Sequence, residues 1–172
     1  VEETAYRWFN RFSALRFMEV NGRLPSRVRV FTNDRGDFRP QILAEAFRLE
    51  LPGLDRDLVY AFENKGEREE LYRYLLATQC NALGDVLPCI FEKVDDYAEL
   101  LLPNNLLSKG GILDRLVTEI PAEDWDWTNQ VEIIGWLYQY YNSELKAEVF
   151  ANLRKNIKIS KEMIPAATQL FT

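Results

Sequence analysis

The sequence predicts a mainly α-helical domain, a compact multi-helix unit with at most a short β-hairpin or extended loop near residues 27–38. Apolar residues make up 47% of the 172 residues and aromatic residues 13%, which is enough to offset the entropy lost on folding. Apolar side chains recur at three- and four-residue spacings in several segments, as on one face of a helix. One short segment alternates in the manner of a strand, which is weak evidence for a sheet.

The first helix is predicted over residues 2–21. Its apolar stripe comes from large side chains three or four residues apart, namely Trp8, Phe9, Phe12, Leu15 and Met18. Gly22 stands where a left-handed C-terminal cap is expected, and Pro25 ends the helix cleanly. Residues 27–31 alternate basic and apolar side chains, so they form either a short half-buried strand or an extended loop. The Asn-Asp-Arg-Gly run at residues 33–36 predicts a turn.

Two further helices, with a short segment between them, are predicted between residues 41 and 83. Pro40 suits the first turn of a helix, and the apolar stripe after it predicts a helix over 41–49. A Pro-Gly pair ends that helix, and a short segment is expected over 54–62. The strongest pattern predicts a helix over 67–83, because acidic residues crowd its first turn as the helix dipole favours.

Helices are also predicted in the part of the chain that follows residue 96. Short helices are expected over 97–102 and 112–119, and Thr128 is a candidate cap for a helix running to residue 141. A final helix is expected over 144–153. The predicted domains are a helical accessory domain, residues 1–153, and a basic linker, residues 154–172.

Charge is spread unevenly along the chain, whose net charge is −6. Residues 7–39 hold eight arginines and only three acidic residues, whereas residues 61–150 carry seventeen acidic residues against seven basic ones. Such asymmetry permits a nucleic-acid contact at the arginine-rich end and a protein contact at the acidic face of residues 61–150. Charge alone leaves both alternatives open.

The residue types that most catalysis requires are missing. The chain has no histidine, which excludes Ser-His-Asp and Cys-His nucleophile systems and most zinc sites. Its carboxylates are scattered rather than grouped in a hard-metal loop. We therefore expect no catalytic, metal-binding or cofactor-binding residue from these patterns. Cys80 and Cys89 are expected to be reduced thiols packed as small apolar residues, in a cytoplasmic protein without a membrane-spanning segment.

A candidate DNA-binding site lies in the arginine-rich segment. Its members fall in or beside one loop, from which guanidinium groups can reach phosphates: Arg27, Arg29, Arg35 and Arg39. Asp34 and Asp37 in the same loop are expected to compete by pairing with these arginines. Arg7 and Arg11, one helical turn apart, could contact DNA as well, although a solvated helix surface is the default interpretation.

Two other motifs have simpler interpretations. The aromatic side chains before residue 142 could form a base-stacking platform, but helical geometry favours core packing; they are Trp136, Tyr138, Tyr140 and Tyr141. Lys109, Gly110 and Gly111 are too few for a phosphate-binding loop and predict a turn.

Three segments resemble a known family. They are residues 5–22, which begin Ala-Tyr-Arg-Trp-Phe-Asn, residues 132–142, which begin Glu-Ile-Ile-Gly-Trp-Leu, and residues 164–172, which begin Ile-Pro-Ala-Ala-Thr-Gln. In this order they are similar to segments of the large adenine-specific DNA methyltransferases of BREX phage-defence systems, the PglX type. The resemblance spans nearly the whole chain and is more specific in these segments than between residues 50 and 120.

The resemblance implies a parent enzyme of which this chain, beginning at Val1 without an initiator Met, is a fragment. Such an enzyme transfers a methyl group from S-adenosylmethionine to an adenine amine in double-stranded DNA, after flipping the base from the stack. The Asn-Pro-Pro-Tyr type loop of the family is absent here, so no catalytic residue is carried over. Thr172 alone would lie near the cofactor of the absent methyltransferase core.

For the chain itself, the resemblance implies a non-catalytic helical region that supports the core and offers the arginine-rich loop to the DNA backbone. The alternative is a scaffold that docks another defence-system subunit through its acidic face, tested at Glu67, Glu69 and Glu70. The lack of histidine and of a cofactor motif argues against a third interpretation, an autonomous enzyme.

Overall fold

The computed structural model describes residues 2–88, 90, 91, 102–128, 143–155 and 158. The chain divides into two compact units, residues 1–130 and residues 131–172. The described part of the first unit contains the helices α1 (Glu2–Val20), α2 (Gln41–Ala44), α3 (Arg56–Lys65), α4 (Arg68–Gly84) and α5 (Ile112–Thr118), and a 3-10 helix (Ala122–Trp125). The described helix of the second unit is α6 (Ser143–Arg154), on which Val149 is buried.

The described residues contain no strand, which confirms the prediction of a mainly α-helical fold. Residues 27–38 form an extended loop rather than a hairpin. The turn predicted at residues 33–36 is present, since the Gly36 N–H donates to the Asn33 carbonyl at 3.1 Å. We call residues 21–40, which join α1 to α2, the arginine loop.

Helix α4 forms the centre of the core of the first unit. It packs against α2 and α3, and most of its side chains are buried, including Leu71, Tyr72, Leu75, Leu76, Cys80 and Leu83. Helix α1 contributes Trp8, Phe12 and Leu15, as its apolar stripe predicted. Each large apolar side chain that is fully buried stabilises the fold by about 1.5–3 kcal/mol, so these two helices supply much of the stability.

Local sequence sets the helix ends. Asp55 caps α3, because its carboxylate accepts hydrogen bonds from the N–H groups of Asp57 at 2.9 Å and Leu58 at 3.4 Å. Gly66 ends α3 with a φ of 70°, in the left-handed region that suits a residue without a Cβ. Gly22 follows α1 with a φ of 62°, as the sequence predicted.

The end of α1 is tied to the 3-10 helix by one side chain, Asn21. Its Nδ2 donates to the carbonyls of Phe17 at 2.7 Å and Trp125 at 2.8 Å. Its Oδ1 accepts from the Trp127 N–H at 3.1 Å. Trp125 is fully buried, so this amide fixes the returning chain against α1.

One predicted helix is shorter than expected. The helix predicted over 41–49 ends at Ala44, and the chain then turns, with the Arg48 N–H donating to the Glu45 carbonyl at 2.8 Å. Ala46 and Leu49 are buried although their backbone is not helical. The apolar spacing that predicted a longer helix therefore reflects burial and not helical geometry.

The other described helices agree with prediction to within a few residues. The segment expected over 54–62 is α3, and the helices expected over 67–83, 112–119 and 144–153 are α4, α5 and α6. The helix expected up to residue 141 lies outside the described residues, as does nearly all of the one expected over 97–102. The domain boundary predicted after residue 153 stays a prediction, because most of residues 154–172 are likewise outside the described part.

Candidate nucleic-acid interface

A buried carboxylate on α1 holds the middle of the arginine loop. The two oxygens of Glu19 accept hydrogen bonds from the Phe31 N–H at 2.7 Å and the Thr32 hydroxyl at 2.8 Å. The same carboxylate pairs with the guanidinium of Arg16 at 2.9 Å, and neither side chain is more than 4% exposed. Burial lowers the pKa of Arg16 from its usual value, and the Glu19 charge opposes that shift.

Helix α4 holds the same part of the loop from the other side. The Tyr72 hydroxyl donates to the Val30 carbonyl at 2.9 Å. Burial, and then the charges of Glu19 and Glu69, raise the pKa of Tyr72 well above its usual value, so this hydroxyl keeps its proton. Val30, Phe31 and Thr32 are fully buried. We call these three residues the strap.

The start of helix α2 is hydrogen-bonded to the residues at and next to the strap. The N–H groups of Gln41 and Ile42 donate to the carbonyls of Thr32 at 3.1 Å and Arg29 at 2.9 Å. The Gln41 Oε1 accepts from the Arg29 N–H at 3.2 Å. Backbone groups at the start of a short helix, which have no partner within the helix, thus fix the loop instead.

The four candidate arginines flank this fixed strap. Arg27, Arg35 and Arg39 are exposed, and Arg29 is half-buried with its Nη1 3.4 Å from the Thr32 hydroxyl. We call these four residues the loop arginines. Arg27 has a φ of 55°, a left-handed conformation that a residue with a Cβ adopts at a cost.

The loop carboxylates do not pair with the loop arginines. Asp37 accepts from the Asn33 Nδ2 at 3.0 Å, while the Asn33 Oδ1 accepts from the N–H groups of Arg35 at 2.9 Å and Asp37 at 3.0 Å. Within the described part of the chain, no salt bridge joins a loop arginine to Asp34 or Asp37. The expected competition from these carboxylates is therefore not seen, and Arg27, Arg35 and Arg39 remain exposed.

Two arginines of α1 are in a different environment. Arg11, interpreted from sequence as a solvated side chain, is 1% exposed, with its guanidinium 4.9 Å from the centre of the Trp8 ring. Arg7 on the same helix is exposed. The prediction that Arg11 is solvated is wrong. The spacing of apolar residues identifies only apolar buried positions, so it misses an arginine that is buried against an aromatic ring.

Sequence reasoning also missed the role of Glu19. It is one of the three acidic residues of the arginine-rich segment 7–39 and lies three residues after Arg16, which is the spacing of a helical ion pair. That spacing could have indicated the pair. Its contacts with the strap, twelve residues later, follow only from the fold.

The acidic residues proposed for docking divide into two groups. The Glu69 carboxylate accepts from the Leu107 N–H at 3.2 and 3.3 Å, and so fixes the chain before α5. Glu70 lies 3.3 Å from the Arg73 guanidinium. Glu67 is exposed. Of these three residues, Glu67 is therefore the one whose reversal least disturbs contacts within the fold.

The glycine pair before α5 is a turn, as predicted. Gly110 has a φ of 73°, and its N–H donates to the Asp114 carboxylate at 2.6 Å. A Cβ on Gly111 would lie 2.9 Å from the Ser108 carbonyl oxygen, so this glycine serves close packing of the backbone.

In the part of the chain that the structure describes, the groups relevant to catalysis include potential metal ligands and the thiol of Cys80. The described residues hold no group of three or more carboxylate, cysteine or histidine side chains placed to bind a metal. Cys80 is fully buried, and burial raises the pKa of its thiol to about 12, so it is not a nucleophile. No helix among these residues has the length and apolar character to cross a membrane. Several candidates lie outside the described residues: Thr172, Cys89, Trp136, Tyr138, Tyr140 and Tyr141.

Comparison with known proteins agrees with the resemblance found in the motifs. The chain is 45% identical over 175 aligned positions to the adenine-specific methyltransferase BrxX of Escherichia coli O9:H4 (strain HS). It is 44% identical over 182 positions to the adenine-specific methyltransferase PglX of Lacticaseibacillus casei (strain Zhang). Both alignments cover the whole chain, which spans 14% and 15% of the lengths of these relatives. No family model matches.

The predicted resemblance to PglX-type adenine-specific methyltransferases is therefore confirmed along the full chain.

Proposed function

We propose that this chain is a non-catalytic helical region of an S-adenosylmethionine-dependent, adenine-specific DNA methyltransferase of a BREX phage-defence system, and that its loop arginines contact the DNA backbone. The identity to BrxX and PglX supports the parent enzyme. One observation carries the DNA contact: Arg27, Arg35 and Arg39 are exposed on both sides of a strap that is itself fully buried. Phosphate contacts of this kind position a duplex without reading its sequence.

The anchored strap favours binding because it fixes the backbone before DNA arrives. Glu19 and Tyr72 hold the strap from two helices, so little backbone order has to be gained on association. Arg27 keeps a left-handed backbone conformation that costs about 1–3 kcal/mol. Strain of this kind at an exposed cation supports a functional role for that side chain.

The chemistry of the parent belongs to other parts of it. S-adenosylmethionine supplies the methyl group, and enzymes that act on a base extrude it from the duplex. The described residues do not fit that cofactor, because they contain no strand followed by a glycine-rich turn. The role proposed for these residues is to support the catalytic core and position DNA, with Thr172 the position nearest the cofactor.

Fluorescence anisotropy of a labelled DNA duplex, measured at low and moderate salt, tests the proposal. We expect binding that weakens steeply with salt, and a triple variant, Arg27→Ala, Arg29→Ala and Arg39→Ala, whose salt slope is lower by about 0.9 for each phosphate that is no longer neutralised. Arg48→Ala, Arg56→Ala and Arg115→Ala together remove the same charge from other exposed sites and form the control. Equal binding by the two triple variants would overturn the proposal.

A second candidate function is docking of another defence-system subunit through the acidic residues near the junction of α3 and α4. Glu63 and Glu67 are exposed there, in the part of the chain with the largest excess of acidic residues. Reversal of these two charges should abolish binding to a purified partner subunit and leave duplex binding unchanged. Glu69 is unsuitable for this test because its carboxylate holds the Leu107 backbone.

A further inference from the structure

A surface cleft of about 580 Å³ lies beside the end of the arginine loop. Its lining includes Phe38, Arg39 and Pro40 from the loop, Arg68 at the start of α4, and Leu107. The volume falls within the range of about 300–1,000 Å³ that is usual for small-ligand sites. Two arginines from separate elements thus share one concave surface.

The neutral polar groups of the cleft are already engaged within the fold. The Asn33 amide bonds to the backbone and carboxylate of its own turn. The Gln41 amide accepts from the Arg29 N–H and donates to the Glu45 carboxylate at 2.6 Å. The groups left to meet a ligand are therefore charged.

Three exposed side chains supply those charges: the guanidinium groups of Arg39 and Arg68 and the carboxylate of Asp34. Within the described residues, none of the three is joined to another side chain by a salt bridge. Two guanidinium groups that line one cleft suit a phosphate, which accepts paired N–H donors from planar groups.

We infer that this cleft binds the phosphate of a nucleotide, with Arg39 and Arg68 on the phosphate oxygens and the sugar or base against Phe38, Pro40 and Leu107. Of these apolar residues, Phe38 and Leu107 are half-buried and can cover an apolar ring face without unfolding. The inference deepens the proposed function, because Arg39 belongs to both sites. It adds Arg68, which lies outside the arginine loop.

Asp34 gives the cleft a preference between anions. Its carboxylate repels a free anion but can accept a hydrogen bond from a sugar hydroxyl or a base amine. A nucleoside phosphate therefore fits the three charges better than inorganic phosphate does. Asp34→Asn should strengthen binding of inorganic phosphate, because the repulsion is removed.

An NMR titration of the 172-residue chain with adenosine monophosphate tests the site. We expect Arg68→Ala and Arg39→Ala each to weaken binding about tenfold, as for loss of a charged hydrogen bond. Arg56→Ala is the matched control, since Arg56 is likewise exposed at the first residue of a helix but does not line the cleft. The spectrum also reports whether each variant is folded.

A duplex titration of the same variants identifies the source of the phosphate. If it belongs to DNA, Arg68→Ala lowers duplex affinity and adenosine monophosphate competes with the duplex. If it belongs to a free nucleotide, Arg68→Ala weakens the nucleotide alone. Both results support the cleft. Failure of Arg68→Ala to weaken either ligand would overturn it, and this would leave untouched the anisotropy test of the loop arginines, whose triple variant keeps Arg68.

Discussion

Two buried arginines of α1 and the exposed arginines of the arginine loop lie in opposite environments. Arg11 and Arg16, which we call the helix arginines, are 1% and 3% exposed, whereas Arg27 and Arg35 among the loop arginines face solvent. All belong to one arginine-rich segment of the sequence. The number of arginines in a sequence segment therefore does not show how many of them are exposed to a binding partner.

The two groups are nevertheless linked through the strap. Arg16 pairs with Glu19, and the same carboxylate holds the Phe31 N–H and the Thr32 hydroxyl. A buried ion pair contributes little stability by itself, because desolvation offsets the attraction between the charges. Here the pair fixes the backbone of the strap. The loop arginines lie on either side of the strap in the sequence.

Removal of Glu19 should destabilise the protein more than any other substitution considered below. Glu19→Ala leaves the Arg16 charge buried and the strap without two acceptors, so we expect a loss of about 3–5 kcal/mol in the free energy of unfolding. Urea denaturation measures it. Glu119→Ala is the control, because its pair with Arg115 at 2.8 Å is exposed and should contribute nothing measurable. Equal losses in the two variants would show that the strap is not held by Glu19.

Tyr72→Phe tests the attachment of the strap to α4. The variant leaves the buried Val30 carbonyl without its donor, so we expect a loss of about 2 kcal/mol in the free energy of unfolding. Thermal and urea denaturation provide the measurement. Tyr60→Phe, at a tyrosine that is 53% exposed, serves as the matched control and should leave stability unchanged.

The free energy of unfolding, measured as a function of pH, tests whether water is excluded from the Cys80 thiol near Arg11. Burial raises the pKa of Cys80 to about 12 from an ordinary value of 9.0, and the charge of nearby Arg11 opposes the shift. Because the folded pKa is the higher one, this contribution to stability is complete below pH 9 and is lost as the pH rises toward 12.

Cys80→Ala removes that contribution. Between about pH 7.5 and about pH 10 the variant should lose about 1.4 kcal/mol less in the free energy of unfolding than the parent chain does. Denaturant titrations at both values measure the difference. Identical losses in the two proteins would mean that water reaches the thiol.

Arg27→Gly tests the exposed arginine whose backbone is strained, and its expected effect on stability is small. Glycine adopts a φ of 55° without strain, so we expect the free energy of unfolding to rise by about 1 kcal/mol while duplex binding weakens. Arg35→Gly removes an equal charge at a residue without positive φ and should not stabilise the fold. A variant that bound DNA as tightly as the parent would show that the Arg27 side chain is not part of that contact.

The sequence predicted those parts of the fold that depend on neighbouring residues. Apolar spacing located α1 and α4, and Gly22 marked the end of α1 because its left-handed backbone is a local requirement. The same spacing predicted too long a helix after Pro40, since a turn there buries Ala46 and Leu49 as a helix would.

The candidate site was predictable only in part. Motif and charge singled out the loop arginines, but their freedom from Asp37 depends on Asn33, which occupies that carboxylate. The burial of Arg11 depends on Trp8, and the cleft brings Arg68 to Arg39 through tertiary packing. No periodicity encodes such contacts.

The amide of Asn21 has a consequence for the order of folding. It joins residues 104 and 106 positions apart, whereas Glu19 and the strap are separated by 12. Closing the longer loop costs about 2 kcal/mol more in chain entropy. The strap can therefore close while the chain after α4 is still disordered, whereas the Asn21 contacts with Trp125 and Trp127 are expected to form later. The arginine loop would then reach its final conformation before the polypeptide that returns to α1 has been synthesised.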